Sequence, residues 1–124
     1  MERKQIKQDV RKKVFEKFDG RCAYCGCKIS LDYRKKNGME VDHIHPVDRG
    51  GGNETENLFP ACKQCNFYKS VFFVDEFREQ LRTLHKRIAK PFICRLGLKY
   101  GIIQLKPFDR KFYFEKTKEV YRND

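Results

Sequence analysis

Cys22-Ala-Tyr-Cys25, Val41-Asp42-His43-Ile44-His45-Pro46 and Cys62-Lys63-Gln64-Cys65-Asn66 are the stretches whose nesting decides how this chain folds. Two thiol pairs bracket an Asp-His. Zinc binds thiolates in a tetrahedron, and two residues between paired cysteines let one tight turn present both sulfurs to one ion. Gly26, directly after Cys25, suits a turn that needs a residue free to bend. Four thiolates saturate the ion. A site on Cys22, Cys25, Cys62 and Cys65 is therefore structural, tying the end of a first helix to the element after Cys62. Four scattered buried cysteines, or a redox pair, are the bland alternatives, and the doubled spacing favours zinc over both. Cys27 stands one residue from Cys25, a poor chelate, and reads with Cys94 as an ordinary small hydrophobe.

Outward from these stretches the chain alternates clear and unclear signals. Ile6, Val10, Val14 and Phe18 share one face at helical spacing among Lys and Arg, and Asp19-Gly20 closes that helix. Residues 27–38 are polar and end in the turn signal Asn37-Gly38. Met39 to Ile44 reads as a strand stopped by Pro46, and 49–53 as an open glycine-rich loop. Leu58 to Ala61 is a short apolar lead into the second thiol pair, after which Cys62 to Lys69 reads as the start of a helix. Val74, Phe77, Leu81, Leu84 and Ile88 mark one further amphipathic helix, with Asp75 and Glu76 in its first turn. Pro91 opens a new element. Ile102 to Leu105 and Lys111 to Phe114 read as two strands. The fold class is α+β, a single domain over 1–124.

Composition narrows the partners. The 124 residues carry a formal net charge of +11, 40% hydrophobic and 14% aromatic residues. An excess of positive charge this large in a short chain points to a polyanion. Nucleic acid comes first, an acidic membrane surface second, and a merely solvated surface is the plain alternative. No apolar run approaches a membrane span, and Met1 to Lys7 lacks the apolar core of a signal peptide. The expected location is cytoplasmic, where six cysteines serve as metal ligands rather than crosslinks.

The inner stretch carries the chemistry. On a strand Asp42 and His43 point to opposite faces, so both are not routine core residues. They are followed by Pro46, Gly51-Gly52, Asn57-Leu58, a thiol pair ending in Asn66, and Lys69. This ordered set, from about Cys22 to Lys69, resembles the HNH endonucleases with a four-cysteine zinc frame. The resemblance implies a ββα-metal core at about 19–70; the flanks, 1–21 and 70–124, carry no family signal, and their own residue pattern gives the flanking helices and a short C-terminal α/β extension over 71–124. It implies metal-dependent hydrolysis of DNA, leaving 5′-phosphate and 3′-hydroxyl ends. His43 falls on the family's general base, Asn57 on the residue bracing the loop opposite, and Asp42 on a metal ligand. The last position, often His, is here Asn66, an HNN version of the motif.

The residue chemistry agrees. A neutral imidazole suits a base near neutral pH. One cation on Asp42 and Asn66 would serve both electrophilic roles, at the phosphate and at the leaving oxygen. Two oxygen ligands favour a hard ion, Mg²⁺ or Mn²⁺, over the softer ions that a second His would invite. His45 reads as a spare ligand, a phosphate contact or packing. Arg49, Lys63 and Lys69 read together as phosphate contacts on double-stranded DNA, each alone as a solvated cation. His85 reads as surface, and Phe72-Phe73 and Phe112-Tyr113-Phe114 as core. Two other classes remain beside the nuclease: a zinc-stabilised nucleic-acid-binding module without activity, and an adaptor within a larger nuclease complex.

Overall fold

The computed structural model describes residues 6–122, with side chains through Thr117. It comprises two compact units: one runs through Val74 and resumes at Phe112, and the other is Asp75–Lys111. The architecture is α+β, helices around one small sheet.

Helix α1 (Gln8–Glu16) buries Val14 completely, as its apolar spacing requires. It stops because Asp19 and Gly20 enter the left-handed region, with φ of 52° and 77°. The Gly20 amide turns back to the Phe15 carbonyl at 3.1 Å, a helix end that a glycine makes without strain. A Cβ on Gly20 would lie 2.9 Å from the Phe15 ring.

Strand β1 (Glu40–His43) pairs antiparallel with β2 (Leu58–Ala61), setting Asp42 opposite Phe59 and His43 opposite Leu58. Pro60 lacks an N–H for the ladder, a tolerable loss in a sheet of two edge strands. Its carbonyl instead accepts from the Ala23 amide at 2.8 Å, which ties the first thiol turn to the sheet. Helix α2 (Lys63–Lys69) follows directly, so β1, β2 and α2 form the expected ββα order. Cys62 caps that helix, its Sγ accepting from the Cys65 amide at 3.3 Å.

The C-terminal part of this unit departs from the sequence reading. Lys111 to Phe114 is not a strand; Phe112 precedes helix α6 (Tyr113–Arg122; α3 to α5 belong to the other unit). The Phe112 amide donates to the Glu115 side chain at 2.9 Å, one half of a capping box. That Glu, three residues on, was the helix signal in the sequence. The Tyr113 and Phe114 amides donate to the Tyr24 and Ala23 carbonyls at 3.0 and 2.8 Å. Phe112 is buried, and its ring lies 5.2 Å from that of Tyr24. Phe59 and Phe114 pack at 4.9 Å, and Phe18 reaches Phe59 at 5.5 Å. The first thiol turn thus sits under an aromatic cover drawn from both ends of the chain. The core reading of 112–114 agrees with this.

The second unit is helical. Helix α3 (Val74–Arg82) and helix α4 (Leu84–Ile88) divide the single helix expected there, with Thr83 between them at φ −100° and ψ 1°. Thr83 hydroxyl donates to the Gln80 carbonyl at 3.4 Å, the local competition by which Thr weakens helix interiors. Pro91 opens α5 (Phe92–Lys99), as read. Ile102 to Leu105 is not a strand: four residues need a partner, and among the described residues none pairs with them. No helix among the described residues is long and apolar enough to cross a membrane.

Candidate functional site

The four thiols meet. The Sγ atoms of Cys22, Cys25, Cys62 and Cys65 all lie within 4.8 Å of one another, and Cys25 and Cys62 are 3.9 Å apart. A zinc–sulfur bond near 2.3 Å implies tetrahedral edges of about 3.8 Å, so the cage fits that ion. The turn that builds it is closed by Cys22 N–H to the Cys27 carbonyl at 2.9 Å and Gly26 N–H to the Cys22 carbonyl at 3.0 Å. Gly26 has φ 80°, and a Cβ there would strike the Tyr113 ring at 2.8 Å. The Cys65 thiol and nearby amides hold Cys22 down to about 5, whereas donating that bond, burial and neighbouring sulfurs push Cys65 up. Four thiols at this spacing share protons unevenly, and a cation is what lets all four ionise. Cys27 does not read as a small hydrophobe in a core: it is exposed beside Cys25, with a thiol pushed up chiefly by desolvation.

Beside the cage, a pocket of about 80 Å³ is lined by Asp42, His43 and Asn66, with Val41, Pro46, Ser70 and Val71. The two members of the Asp-His pair both line it, rather than serving separate faces, because β1 ends at His43 and the chain turns there. Asn66 reaches the pocket from the second turn of α2, one residue beyond the last cage thiol. Its side chain makes no hydrogen bond among the described residues.

Asp42 is buried and held at both oxygens. Tyr24 hydroxyl donates to Oδ2 at 2.5 Å, and Lys69 Nζ donates to Oδ1 at 3.2 Å. Burial pushes the Asp42 carboxyl up, against the pull of the Lys69 ammonium and the Tyr24 hydrogen bond. Lys69 corrects the sequence reading. Expected to meet phosphate, it is 0% exposed and spends its ammonium on Asp42 and on the His43 carbonyl at 3.0 Å. A Lys one turn beyond Asn66 is directed inward by the helix period and is stable there only because a carboxylate meets it.

His43 is also buried, and its Nε2 lies 2.8 Å from Asn53 Oδ1. An amide oxygen only accepts, so this contact places the imidazole proton on Nε2 and leaves Nδ1 as the free base position. Asn53 was not legible in the sequence as more than part of a loop. Asn57 fixes that loop: Oδ1 accepts from the His45 amide at 2.8 Å, and Nδ2 donates to the His45 and Gly52 carbonyls at 3.0 and 2.8 Å. Gly51 is needed for close approach within the loop, since a Cβ there would lie 1.7 Å from the His45 carbonyl oxygen.

The remaining candidates do not line the pocket. His45 does not share the direction of His43, because it stands beyond the end of β1. Its Nε2 contacts the Arg49 carbonyl at 2.7 Å, and its ring meets the edge of Phe73 at 4.9 Å. Arg49 is exposed, with its guanidinium 3.7 Å over the Phe73 ring. Lys63 is exposed and donates to the Lys35 carbonyl at 2.9 Å. In the other unit His85 is half-buried rather than surface. Its Nδ1 is shielded and has no hydrogen-bond partner among the described residues, and its ring lines a cavity of about 240 Å³ with Leu81, Ile88 and Phe108.

The thiol cage braces a ββα unit that carries an Asp-His on its first strand and an Asn on its helix. Residues 22–71 match the family model described as HNH endonuclease. The chain is also similar, at 39% identity over 64 residues, to "SPbeta prophage-derived putative HNH endonuclease YoqL" of Bacillus subtilis (strain 168). That similarity covers 48% of this chain and 27% of that protein, so the chain spans about a quarter of the relative's length.

Proposed function

We propose that this chain is a metal-dependent endonuclease that hydrolyses phosphodiester bonds in double-stranded DNA. The observation that carries the reading is the convergence of Asp42, His43 and Asn66 on one pocket beside the thiol cage, within a segment that matches nucleases. His43, held by Asn53, takes a proton from water at Nδ1, and the water oxygen attacks phosphorus. The bond to the 3′ oxygen breaks, that oxygen is protonated by solvent, and the products are a 5′-phosphate and a 3′-hydroxyl. Asp42 and Asn66 offer oxygen ligands for a hard divalent ion, Mg²⁺ or Mn²⁺, with water completing its shell. Such a cation, when bound, neutralises the phosphate and the departing oxygen. Asn57 keeps the loop shaped so that His43 and Asn53 stay in register. Zinc on the four thiols is structural. Arg49 and Lys63, both exposed, remain as phosphate contacts; Lys69 instead positions Asp42. Reduced thiols fit action in the cytoplasm, in which a larger nuclease complex would supply sequence specificity.

A zinc-stabilised DNA-binding module without activity has one observation in its favour: Lys69 already satisfies Asp42 by charge. Plasmid cleavage separates the two readings. With Mg²⁺ or Mn²⁺ the wild type is expected to convert supercoiled plasmid and His43→Ala to lose that conversion by at least about 100-fold. Cleavage that survives His43→Ala unchanged removes the assigned base, and no cleavage by the wild type leaves the binding module.

A further inference from the structure

Four polar residues line the pocket beside the cage: Asp42, His43, Asn66 and Ser70. The first three have parts in the proposed reaction, and Ser70 has none. It directly follows Lys69 at the end of α2, where its backbone takes φ 47° and ψ −123°. The Phe72 amide closes this turn onto the Lys69 carbonyl at 2.8 Å. Such angles belong to the first central residue of a type II′ turn, a place that favours glycine because a Cβ is strained at positive φ. The surroundings impose the conformation. The Ser70 amide donates to the Asn66 carbonyl at 3.0 Å, and Lys69 before it is fixed by Asp42 and the His43 carbonyl. Asp19 and Arg110 are the other non-glycine residues with positive φ among the described residues, and neither lines the pocket. A side chain is thus kept, against its backbone preference, at the one such position that borders the site.

We propose that Ser70 is a phosphate contact, its hydroxyl donating a hydrogen bond to a non-bridging oxygen of the DNA phosphate that enters the pocket. This inference rests on the nuclease reading of the same pocket. The other lining groups leave the part open. Asp42 and Asn66 turn oxygens to the cation, and His43 commits Nε2 to Asn53 and keeps Nδ1 for water. Toward the substrate these are acceptors, whereas a phosphate oxygen needs a donor. Val41, Pro46 and Val71 bring no polar side chain to the lining. Apart from the Asn66 amide, turned by its oxygen to the cation, Ser70 is therefore the side-chain donor the pocket has. Its hydroxyl makes no hydrogen bond among the described residues. It stands one atom beyond Cβ, so rotation about a single torsion brings it to the pocket edge. Being uncharged, it gives direction to the phosphate without adding a cation that would compete for Asp42.

The test is binding of a fluorescently labelled DNA duplex to the full zinc-loaded chain with Mn²⁺, in a His43→Ala background so that cleavage does not intervene. Adding Ser70→Ala or Ser70→Gly is expected to weaken binding about tenfold, the worth of one hydrogen bond to a charged group. The slope of affinity against salt is expected to stay the same, because no cationic contact is lost. Ser70→Gly is expected to unfold in denaturant at the same or a higher midpoint, since glycine relieves the turn. Affinity unchanged in both variants overturns the proposal. So does a loss accompanied by a shallower salt slope, which would mean that the turn had displaced a Lys or Arg. A loss confined to a variant that unfolds earlier overturns it as well. Plasmid cleavage with His43 intact is read separately. Cleavage together with affinity indifferent to Ser70 defeats only the phosphate contact, and affinity that depends on Ser70 without cleavage defeats only the nuclease reading.

Discussion

The thiol cage and the Asp42 pocket lie side by side on the same ββα unit, yet they are built on opposite plans. The cage draws four identical ligands from one tight turn and the start of α2, and their sulfurs alone lie close enough for one ion. The pocket gathers unlike groups from β1 and α2, and each is held by a further residue: Asp42 by Tyr24 and Lys69, His43 by Asn53, the loop between by Asn57. A closed site needs only its ligands. An open one, which must leave room for water and substrate, needs supports that fix direction without occupying the space. The cost of failure should differ accordingly, falling almost wholly on folding for the cage and divided between folding and rate for the pocket, by how deeply each support is buried.

The largest expected effect is at the cage. Cys62→Ser removes a ligand while leaving a hydroxyl able to cap α2 in place of the thiol. Because structural zinc binding contributes about 10 kcal/mol or more to folding, the variant is expected to lose zinc and cooperative unfolding, as checked by metal analysis and circular dichroism. A variant that folds normally without zinc would show that the aromatic cover, not the metal, holds the unit. Next comes Lys69→Met, which leaves Asp42 buried with no cation. It is expected to cost about 3–5 kcal/mol in chemical denaturation, and adding Asp42→Asn should restore part of that loss through the coupling of the pair. Full stability in Lys69→Met would mean that the pair contributes nothing in the folded chain.

Asn57→Ala removes three hydrogen bonds from one loop. About 2–3 kcal/mol of stability is expected to go, with faster hydrogen exchange across 45–52 as the local sign. The smallest effect on folding is at Asn53. It is exposed, and among the described residues its side chain contacts only the His43 ring, so Asn53→Ala is expected to change stability by less than about 0.5 kcal/mol. Its cleavage rate should still fall by about 10- to 100-fold, as the imidazole loses its fixed tautomer. A rate that stays at the wild-type value would place the orientation of His43 elsewhere. Equal folding losses in all four variants would erase the contrast between the two sites.

What could be read in the sequence follows the same contrast. The cage was legible because Cys-x-x-Cys places ligands by local turn geometry, and the ββα order followed from it. The pocket residues were legible only through motif order, since nothing local brings Asp42 and Asn66 together. Their supports were not legible. Lys69 reads as one more surface cation in a chain rich in them, and only the packing of α2 against β1 turns it inward. Asn53 sits in a glycine-rich loop whose path depends on the fit of Gly51 against His45. At the C-terminus, alternation of aromatic residues suggested a strand over 111–114. Packing onto Tyr24 and the Glu115 cap made those residues a helix start instead. The split between α3 and α4 at Thr83 is a tertiary outcome of a modest helix former in an otherwise continuous pattern.

The central claim is that the pocket, not the cage, is where the reacting cation works. The most direct measurement is the plasmid-cleavage rate of zinc-loaded protein against added Mn²⁺, wild type beside Asn66→Ala. Both proteins should retain one zinc, the wild type should be activated by Mn²⁺, and Asn66→Ala should need far more Mn²⁺ or fail to respond. Cleavage that requires no added cation and is unchanged in Asn66→Ala would contradict the account.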